Sequence, residues 1–164
     1  QLAKTGMLRS AHMLGNEEEI IFTATDLLAD TKLAPELSNE AHYYRAKAYL
    51  DAGKTDGAME DLKVLAKDTR NVYGAEAKYK VAQIYFDAGQ TEQAEKEVLD
   101  YIEVSTPHTY WLARSFVLLS DVYMKLGRNL DAKQYLLSLK QNYQADDDIA
   151  GMIESRLEKL KTEN

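Results

Sequence analysis

Cysteine is absent from the 164-residue chain, and proline occurs only twice. Without cysteine, the chain can form no disulfide, no thiolate metal site and no cysteine nucleophile. Two prolines and eight glycines leave few positions at which a helix must end. Runs of β-branched residues are nearly absent as well, so the composition favours helices over strands.

An excess of positive charge and a long apolar run are also missing. The net charge is −7 at pH 7, and an acidic protein has no electrostatic reason to bind a phosphate backbone, so we expect no nucleic-acid partner. No apolar stretch approaches the ~20 residues of a membrane-spanning helix, so we expect no direct membrane insertion. Hydrophobic residues make up 45% of the chain, which is typical of a folded protein.

Sequence patterns for catalysis and metal binding are missing too. The three histidines include no HExxH motif and no i, i+4 pair. The acidic runs at 17–19 and 146–148 lack the glycine of a calcium loop, and both lie at the starts of predicted helices, where acidic residues suit the helix dipole. No serine lies in a GxSxG elbow, and no phosphate-binding glycine loop occurs. We therefore expect no enzyme activity, no catalytic residue, no metal and no cofactor.

The chain does contain a pattern that occurs four times. Three good copies are AYLDAGKTDGAMEDL, IYFDAGQTEQAEKEV and VYMKLGRNLDAKQYL, and a weaker copy is SAHMLGNEEEIIFTA. Their turn glycines are spaced by 38, 36 and 38 residues, at Gly15, Gly53, Gly89 and Gly127. In the good copies, a tyrosine lies four residues before the glycine and an alanine lies five residues after it. Constant offsets around a glycine indicate a repeated structural unit.

Helix–turn–helix packing explains these offsets. Ala46, Tyr49 and Leu50 fall on one face of a helix. Gly53 ends that helix, because glycine adopts the left-handed conformation at low cost. Ala58 then allows the second helix to approach closely. A helix pair of this kind buries its apolar face only by stacking on its neighbours.

The pattern predicts helices at about 2–14, 17–30, 36–52, 55–68, 73–88, 91–104, 107–126, 129–143 and 147–162. Thr106 and Pro107 are predicted as the N-cap and first residue of the seventh helix. The last helix has an apolar stripe and carries Arg156, Lys159 and Lys161 toward its end, where positive charge suits the helix dipole. Because no glycine turn or partner helix follows, we interpret it as a cap on the last repeat.

The repeated pattern resembles that of the tetratricopeptide repeat family over essentially the whole chain. It departs from the family at the tryptophan position, which holds His42, Lys78 and Phe116, and its spacing exceeds the usual 34 residues. Longer units of this sort resemble those of bacterial envelope proteins. The resemblance implies an all-α fold, a right-handed superhelical α-solenoid of four helix–turn–helix repeats plus a C-terminal capping helix. We expect one domain over 1–164, with repeats at about 1–34, 35–71, 72–106 and 107–145 and a capping helix at 146–164, as the C-terminal fragment of a longer chain.

In the resembled family, the first helix of each pair lines a concave groove that holds the partner. Carried over to this chain, the partner-binding positions of the second, third and fourth repeats are Tyr43, Lys47, Leu50, Tyr79, Gln83, Phe86, Arg114, Val117, Asp121 and Met124. The apolar members would form a strip suited to a partner. The alternative is that they pack against the neighbouring repeat. Acidic residues dilute the basic ones in this groove, so we expect no acidic tail as ligand.

We therefore predict a scaffold that binds a peptide or partner protein through its groove. Two alternatives stay open. The eleven tyrosines would suit a glycan or small-ligand binding module of a bacterial envelope system, and the repeats would also suit a structural spacer in a longer solenoid. An exposed face of the first repeat would favour a homodimer in vitro. A periplasmic or envelope-associated location is favoured over a cytoplasmic one.

Overall fold

The computed structural model describes residues 1–162, and these residues form nine helices and no strand. The helices are α1 (Leu2–Leu14), α2 (Glu17–Leu28), α3 (Pro35–Asp51), α4 (Thr55–Leu65), α5 (Val72–Asp87), α6 (Thr91–Val104), α7 (Thr109–Lys125), α8 (Asn129–Asn142) and α9 (Ile149–Thr162). Every boundary lies within three residues of its predicted position. The last two residues of the capping helix predicted at 146–164 lie outside the described residues.

The predicted start of the seventh helix is wrong by two residues. Helix α7 begins at Thr109, and His108 occupies its N-cap position. The hydroxyl of Thr106 accepts a hydrogen bond from the backbone N–H of His108 at 3.0 Å. Threonine side chains often close short turns in this way. Thr106 therefore closes the turn that contains Pro107, and it does not cap the helix.

The four turn glycines adopt the left-handed conformation, with φ of 68°, 74°, 78° and 76° in chain order. At Gly53, the N–H of Lys54 donates to the carbonyl of Tyr49 at 2.7 Å, and the N–H of Gly53 donates to Leu50 at 3.1 Å. The same two bonds close the other three turns. This arrangement is the Schellman motif. The residue four positions before each glycine is therefore the one whose carbonyl accepts the outer hydrogen bond of the turn.

The chain divides into two compact units, unit 1 with residues 1–78 and unit 2 from residue 79 onward. In unit 1, α2 packs against α1 and α3, and α3 packs against α4. In unit 2, α7 packs against α6 and α8, while α9 packs against both α7 and α8. Sequential packing of helices confirms the predicted all-α repeat fold. The extent of one domain over the whole chain stays a prediction.

Small residues just after each turn lie in the core. Ala58, Ala94 and Ala132 are each 0% exposed, which confirms that this position brings the second helix close to its neighbours. In the last helix, Ile149 and Ile153 are buried in the apolar cluster of unit 2, as the predicted cap requires. Within residues 1–162, no helix has both the length and the apolar character needed to cross a membrane.

Candidate functional site

A cleft in unit 2 lies among the C-terminal ends of α5 and α7 and the second half of α9. We call it the α9 cleft, and its volume is about 560 Å³. Its principal lining residues are Phe86, Asp121, Met124, Lys125, Arg156 and Lys159. A cleft of this size lies within the range of about 300–1,000 Å³ found for ligand pockets.

The repeat pattern explains the apolar part of the α9 cleft. Phe86 and Met124 each lie three residues before a turn glycine, so they occupy the same position in the first helix of successive repeats. Both side chains are half-buried and pack against the apolar core of unit 2. Part of each side chain therefore remains available to a ligand, while the rest is held by the core.

An ion pair fixes the wall that α9 contributes. Arg156 donates from Nε to Oδ1 of Asp121 at 3.0 Å and from Nη2 to Oδ2 at 3.0 Å. The two side chains are only 28% and 23% exposed. Paired hydrogen bonds of this type are directional and are strengthened by the opposite charges. This pair neutralises Asp121 and holds α9 against α7.

Two further positive charges of the α9 cleft have no ion-pair partner among residues 1–162. Lys125 and Lys159 are exposed, and neither ammonium group forms an ion pair with a residue in the described part of the chain. Three basic side chains and one carboxylate give the cleft a net charge of +2. The whole chain, by contrast, has a net charge of −7. The cleft is therefore a local basic site on an acidic protein.

Three other predicted groove residues join in a hydrogen-bonded chain within unit 2. Arg114 donates from Nη2 to the hydroxyl of Tyr79 at 3.0 Å, and that hydroxyl donates to Oε1 of Gln83 at 2.9 Å. The guanidinium carbon of Arg114 lies 4.9 Å from the centroid of the Tyr79 ring. Arg114 also donates to the hydroxyl of Tyr110, which donates to Asp148. These side chains link α5, α7 and the start of α9.

The predicted groove residues of unit 1 are also engaged internally. The ring of Tyr43 stacks on Tyr73 with centroids 4.4 Å apart, and Nζ of Lys47 lies 5.2 Å from the Tyr43 centroid. The Tyr43 hydroxyl donates to Oε1 of Glu76 at 3.0 Å. Burial, reinforced by the negative charge of Glu76, raises the pKa of Tyr43 well above its ordinary value. Leu50 lies on the same helix as Tyr43 and Lys47, and its side chain is half-buried.

Comparison with known proteins supports the repeat interpretation. Two profiles of the tetratricopeptide repeat family match residues 40–68 and residues 113–141. These two segments are tetratricopeptide repeats. Two solved structures, described as nearly identical TPR-like repeats of a kinesin light chain from Podosopora anserina, are similar in fold. Each is 15% identical in sequence to this protein, and each alignment covers 98% of this chain and 92% of the other chain. The TM-score is 0.62 for a point variant and 0.60 for the second structure. No curated protein matches the chain.

The tetratricopeptide repeats present only part of the predicted groove set to solvent. Tyr79 is 6% exposed and Val117 is 3% exposed. At these two positions the side chains pack into the core, which was the alternative for the apolar strip. Phe86, Asp121 and Met124 come together in the α9 cleft. Partner contact by the exposed members of the set stays a prediction.

Sequence reasoning missed the basic side of the α9 cleft. Lys125 lies one residue after Met124, outside the stripe that defined the groove, and Arg156 and Lys159 were assigned to the dipole of a capping helix. The spacing of α9 carries the missing signal. Ile153 and Leu160 are buried, and helical spacing places Arg156 and Lys159 to one side of that buried stripe. Among residues 1–162, no group of three or more His, Asp or Glu side chains is placed to hold a metal ion.

Proposed function

We propose that this tetratricopeptide repeat protein binds a peptide segment of a partner protein in the α9 cleft. Tetratricopeptide repeats generally mediate protein–protein interaction, and scaffolds of this family are generally not enzymes. The observation that carries the proposal is the cleft itself. It combines two half-buried apolar side chains, Phe86 and Met124, with charged side chains on α7 and α9.

The composition of the α9 cleft supports a peptide ligand. Phe86 supplies a rigid aromatic surface, and aromatic residues are frequent anchors in protein interfaces. Met124 adds a flexible thioether that adapts to different side chains. The ion pair between Asp121 and Arg156 holds the wall of the cleft before a ligand arrives, which lowers the entropy cost of binding.

Peptide selection with matched variants tests this proposal. The immobilised full chain is used to select from a random peptide library displayed at the N-terminus of a phage coat protein. Affinities of selected peptides are then measured by fluorescence anisotropy. Phe86→Ser/Met124→Ser removes the apolar surface of the cleft. Leu99→Ser/Leu137→Ser is the control, because it removes 41% and 45% exposed leucines outside the cleft.

The expected result is loss of peptide binding in the cleft variant and retention in the control. The physical reason is that buried apolar contacts at the centre of an interface supply most of the binding free energy. Circular dichroism checks that both variants fold. Equal binding by the two folded variants would exclude the α9 cleft as the peptide site.

Glycan or small-ligand binding stays an alternative. It would use a tyrosine face, and the faces of Tyr43 and Tyr79 already contact Tyr73, Lys47 and Arg114. A glycan array probed with the full chain tests it. Binding that is lost in Tyr43→Ala and kept in the cleft variant would favour this alternative, and a silent array would favour the peptide or the spacer role.

Two further expectations remain proposals. A homodimer through the first repeat is supported by Met13 and Leu14, which are 85% and 83% exposed. Light scattering after gel filtration tests it, since Met13→Asp/Leu14→Asp should return any dimer to a monomer. A periplasmic or envelope-associated location is tested by fractionation of the source cells, and recovery in the cytoplasmic fraction would exclude it.

A further inference from the structure

We infer that the α9 cleft selects a peptide segment in which a large apolar side chain lies between two acidic side chains. This inference rests on the proposed function, because it specifies the ligand of the same cleft. It is carried by the charge and the layout of the lining residues. The apolar pair comes from α5 and α7, and the two lysines without a described ion-pair partner lie on two different helices.

The charge of the cleft is opposite to that of the molecule. Lys125 and Lys159 are exposed cations that no described acidic residue neutralises, whereas the chain as a whole is acidic. A negatively charged segment is repelled by most of the surface and attracted to this site. Such a local reversal of potential raises the rate and the specificity of association with an acidic partner.

The layout of the cleft determines the order of residues in the ligand. Phe86 and Met124 come from α5 and α7 and offer the apolar contact. Lys125 extends from the end of α7, and Lys159 extends from α9. Cations on two helices that line one apolar surface suit an apolar side chain with a carboxylate on each side of it.

Side-chain carboxylates suit this cleft better than a free C-terminus. A C-terminal carboxylate is one group, whereas two separated lysines need two. The guanidinium group that would bind a single carboxylate belongs to Arg156. Its Nε and Nη2 already donate to Asp121, and its Nη1 donates to the carbonyl of Met152 at 3.4 Å. The remaining cations are lysines, which act as point charges and do not impose the planar geometry of a fork.

This ligand differs from the expectation drawn from sequence, which excluded an acidic tail. That expectation weighed charges only at the groove positions of the repeats. The structure adds Lys125 and Lys159 to the same cleft, and it cancels Asp121 against Arg156. The net charge of the cleft lining is therefore positive and no longer mixed. The argument against a C-terminal carboxylate remains.

Charge reversal of the two lysines tests the inference. Wild type and Lys125→Glu/Lys159→Glu are each used to select from the phage library described above, in which fusion to the coat protein leaves no free peptide C-terminus. Lys96→Glu/Lys133→Glu is the control. These lysines are exposed on α6 and α8 of the same unit, so the control makes the same change in net charge outside the cleft.

Wild type should enrich peptides with acidic residues on both sides of a large apolar residue. Their binding should weaken about tenfold or more in the cleft reversal and change little in the control, because local charges dominate over net charge when salt screens the rest. The reversed cleft should instead enrich basic residues around the same apolar residue. As a second measurement, added salt should weaken binding to wild type more than to Lys125→Gln/Lys159→Gln.

The outcomes separate the two proposals. Peptides that require Phe86 and Met124 but carry no acidic flanks, or that bind the reversed and control variants equally, overturn the acidic ligand and leave the proposed function standing. Absence of any peptide that depends on Phe86 and Met124 overturns the proposed function itself.

Discussion

The second repeat in unit 1 and the fourth repeat in unit 2 fill the same three positions with opposite chemistry. These positions lie eleven and eight residues before the turn glycine and eight residues after it. The second repeat places His42, Arg45 and Asp61 there, and the fourth repeat places Phe116, Leu119 and Tyr135 there. The same three positions of a repeat therefore accept either charged and polar or mainly apolar side chains.

In unit 1 the three residues form a buried polar cluster. Asp61 is 1% exposed. It accepts hydrogen bonds from Nε and Nη2 of Arg45 at 2.9 and 2.7 Å and from Nδ1 of His42 at 2.7 Å. Burial by itself would raise the pKa of Asp61, but the hydrogen bonds from His42 and Arg45 outweigh it and hold the pKa below its ordinary value. Arg45 also donates to Thr25, which ties α3 to α2.

In unit 2 the same positions are held by apolar packing. Leu119 is 0% exposed, and the rings of Phe116 and Tyr135 lie with centroids 6.0 Å apart. Tyr135 also packs against Tyr123 at 5.6 Å. Burial of apolar surface stabilises this arrangement without the desolvation penalty of ions. The difference lies in what a single substitution leaves behind, an unpaired charge in one unit and a cavity in the other.

The largest expected effect comes from Asp61→Asn. Removing the carboxylate leaves Arg45 with a poorly compensated charge, so the free energy of unfolding should fall by about 3–5 kcal/mol. Urea titration followed by circular dichroism measures it. Asp26→Asn is the control, because Asp26 pairs with Lys4 at a site where both side chains are 48% exposed, and loss of such a pair costs about 1 kcal/mol or less. Similar losses in both variants would contradict the structural role of the cluster.

Leu119→Ala should have the next largest effect. It leaves a cavity in the apolar cluster of unit 2 and should lower the free energy of unfolding by about 2–4 kcal/mol. The fluorescence of Trp111, the only tryptophan, follows the change because this residue packs on the same cluster. Leu137→Ala, at a 45% exposed leucine, is the control and should cost much less. A small loss at Leu119 would show that the cluster repacks.

The pH dependence should distinguish the two units with a smaller effect. The folded-state pKa of Asp61 lies below the unfolded value of about 3.9. Its stabilising contribution is therefore present above that unfolded value and is lost as the pH falls through the folded value. The stability difference between wild type and Asp61→Asn should shrink below about pH 4, while the difference for Leu119→Ala should stay nearly constant. Urea titrations at neutral and acidic pH measure both. Equal pH dependence in the two variants would contradict this assignment.

Ser105→Gly should have a still smaller effect, and it should stabilise the protein. Ser105 joins α6 to α7 in unit 2 with φ 63° and ψ −179°, a region that is strained for residues other than glycine. We expect a gain of about 1 kcal/mol in the free energy of unfolding, measured by urea titration. Ser105→Ala separates the two causes, because it removes the hydroxyl and keeps the strain. A gain in Ser105→Ala as large as in Ser105→Gly would contradict the strain explanation.

The smallest change in stability is expected when the three residues of the fourth repeat replace their counterparts in the second repeat. His42→Phe/Arg45→Leu/Asp61→Tyr removes all members of the charged cluster together, so no ion is left unpaired. Stability should stay within about 1 kcal/mol of wild type. Thermal unfolding by circular dichroism measures the change. A loss of stability as large as that of Asp61→Asn would show that the second repeat does not accommodate the residues of the fourth.

The sequence predicted the helices and turns well, because their causes are local. The glycine at each turn, the alanine five residues later and the tyrosine four residues earlier determine where the helices end and approach each other. The start of α7 was less predictable. Thr106 offers the same hydroxyl to an N-cap or to a short turn, and only the path of the chain selects between them.

The candidate site was predicted only in part. Phe86 and Met124 share the helix position three residues before a turn glycine, and Asp121 lies one helical turn earlier on the same face as Met124. Lys159 and Arg156 lie far away in sequence, on a helix outside the repeats, so no periodic signal connects them to the cleft. The burial of Tyr79 and Val117 could not be predicted from the sequence either. The same face of a repeat helix contacts solvent in one fold and a neighbouring helix in another.

By itself, the sequence determined the helices, the left-handed turns and the repeat family, since each depends on residues within about one repeat of one another. Tertiary structure alone decided which of the predicted groove residues reach solvent, and it brought α9 against α7 to create the basic cleft. The physical reason is that charge and exposure at a point depend on every chain segment that passes near it, and α9 approaches α7 only through folding.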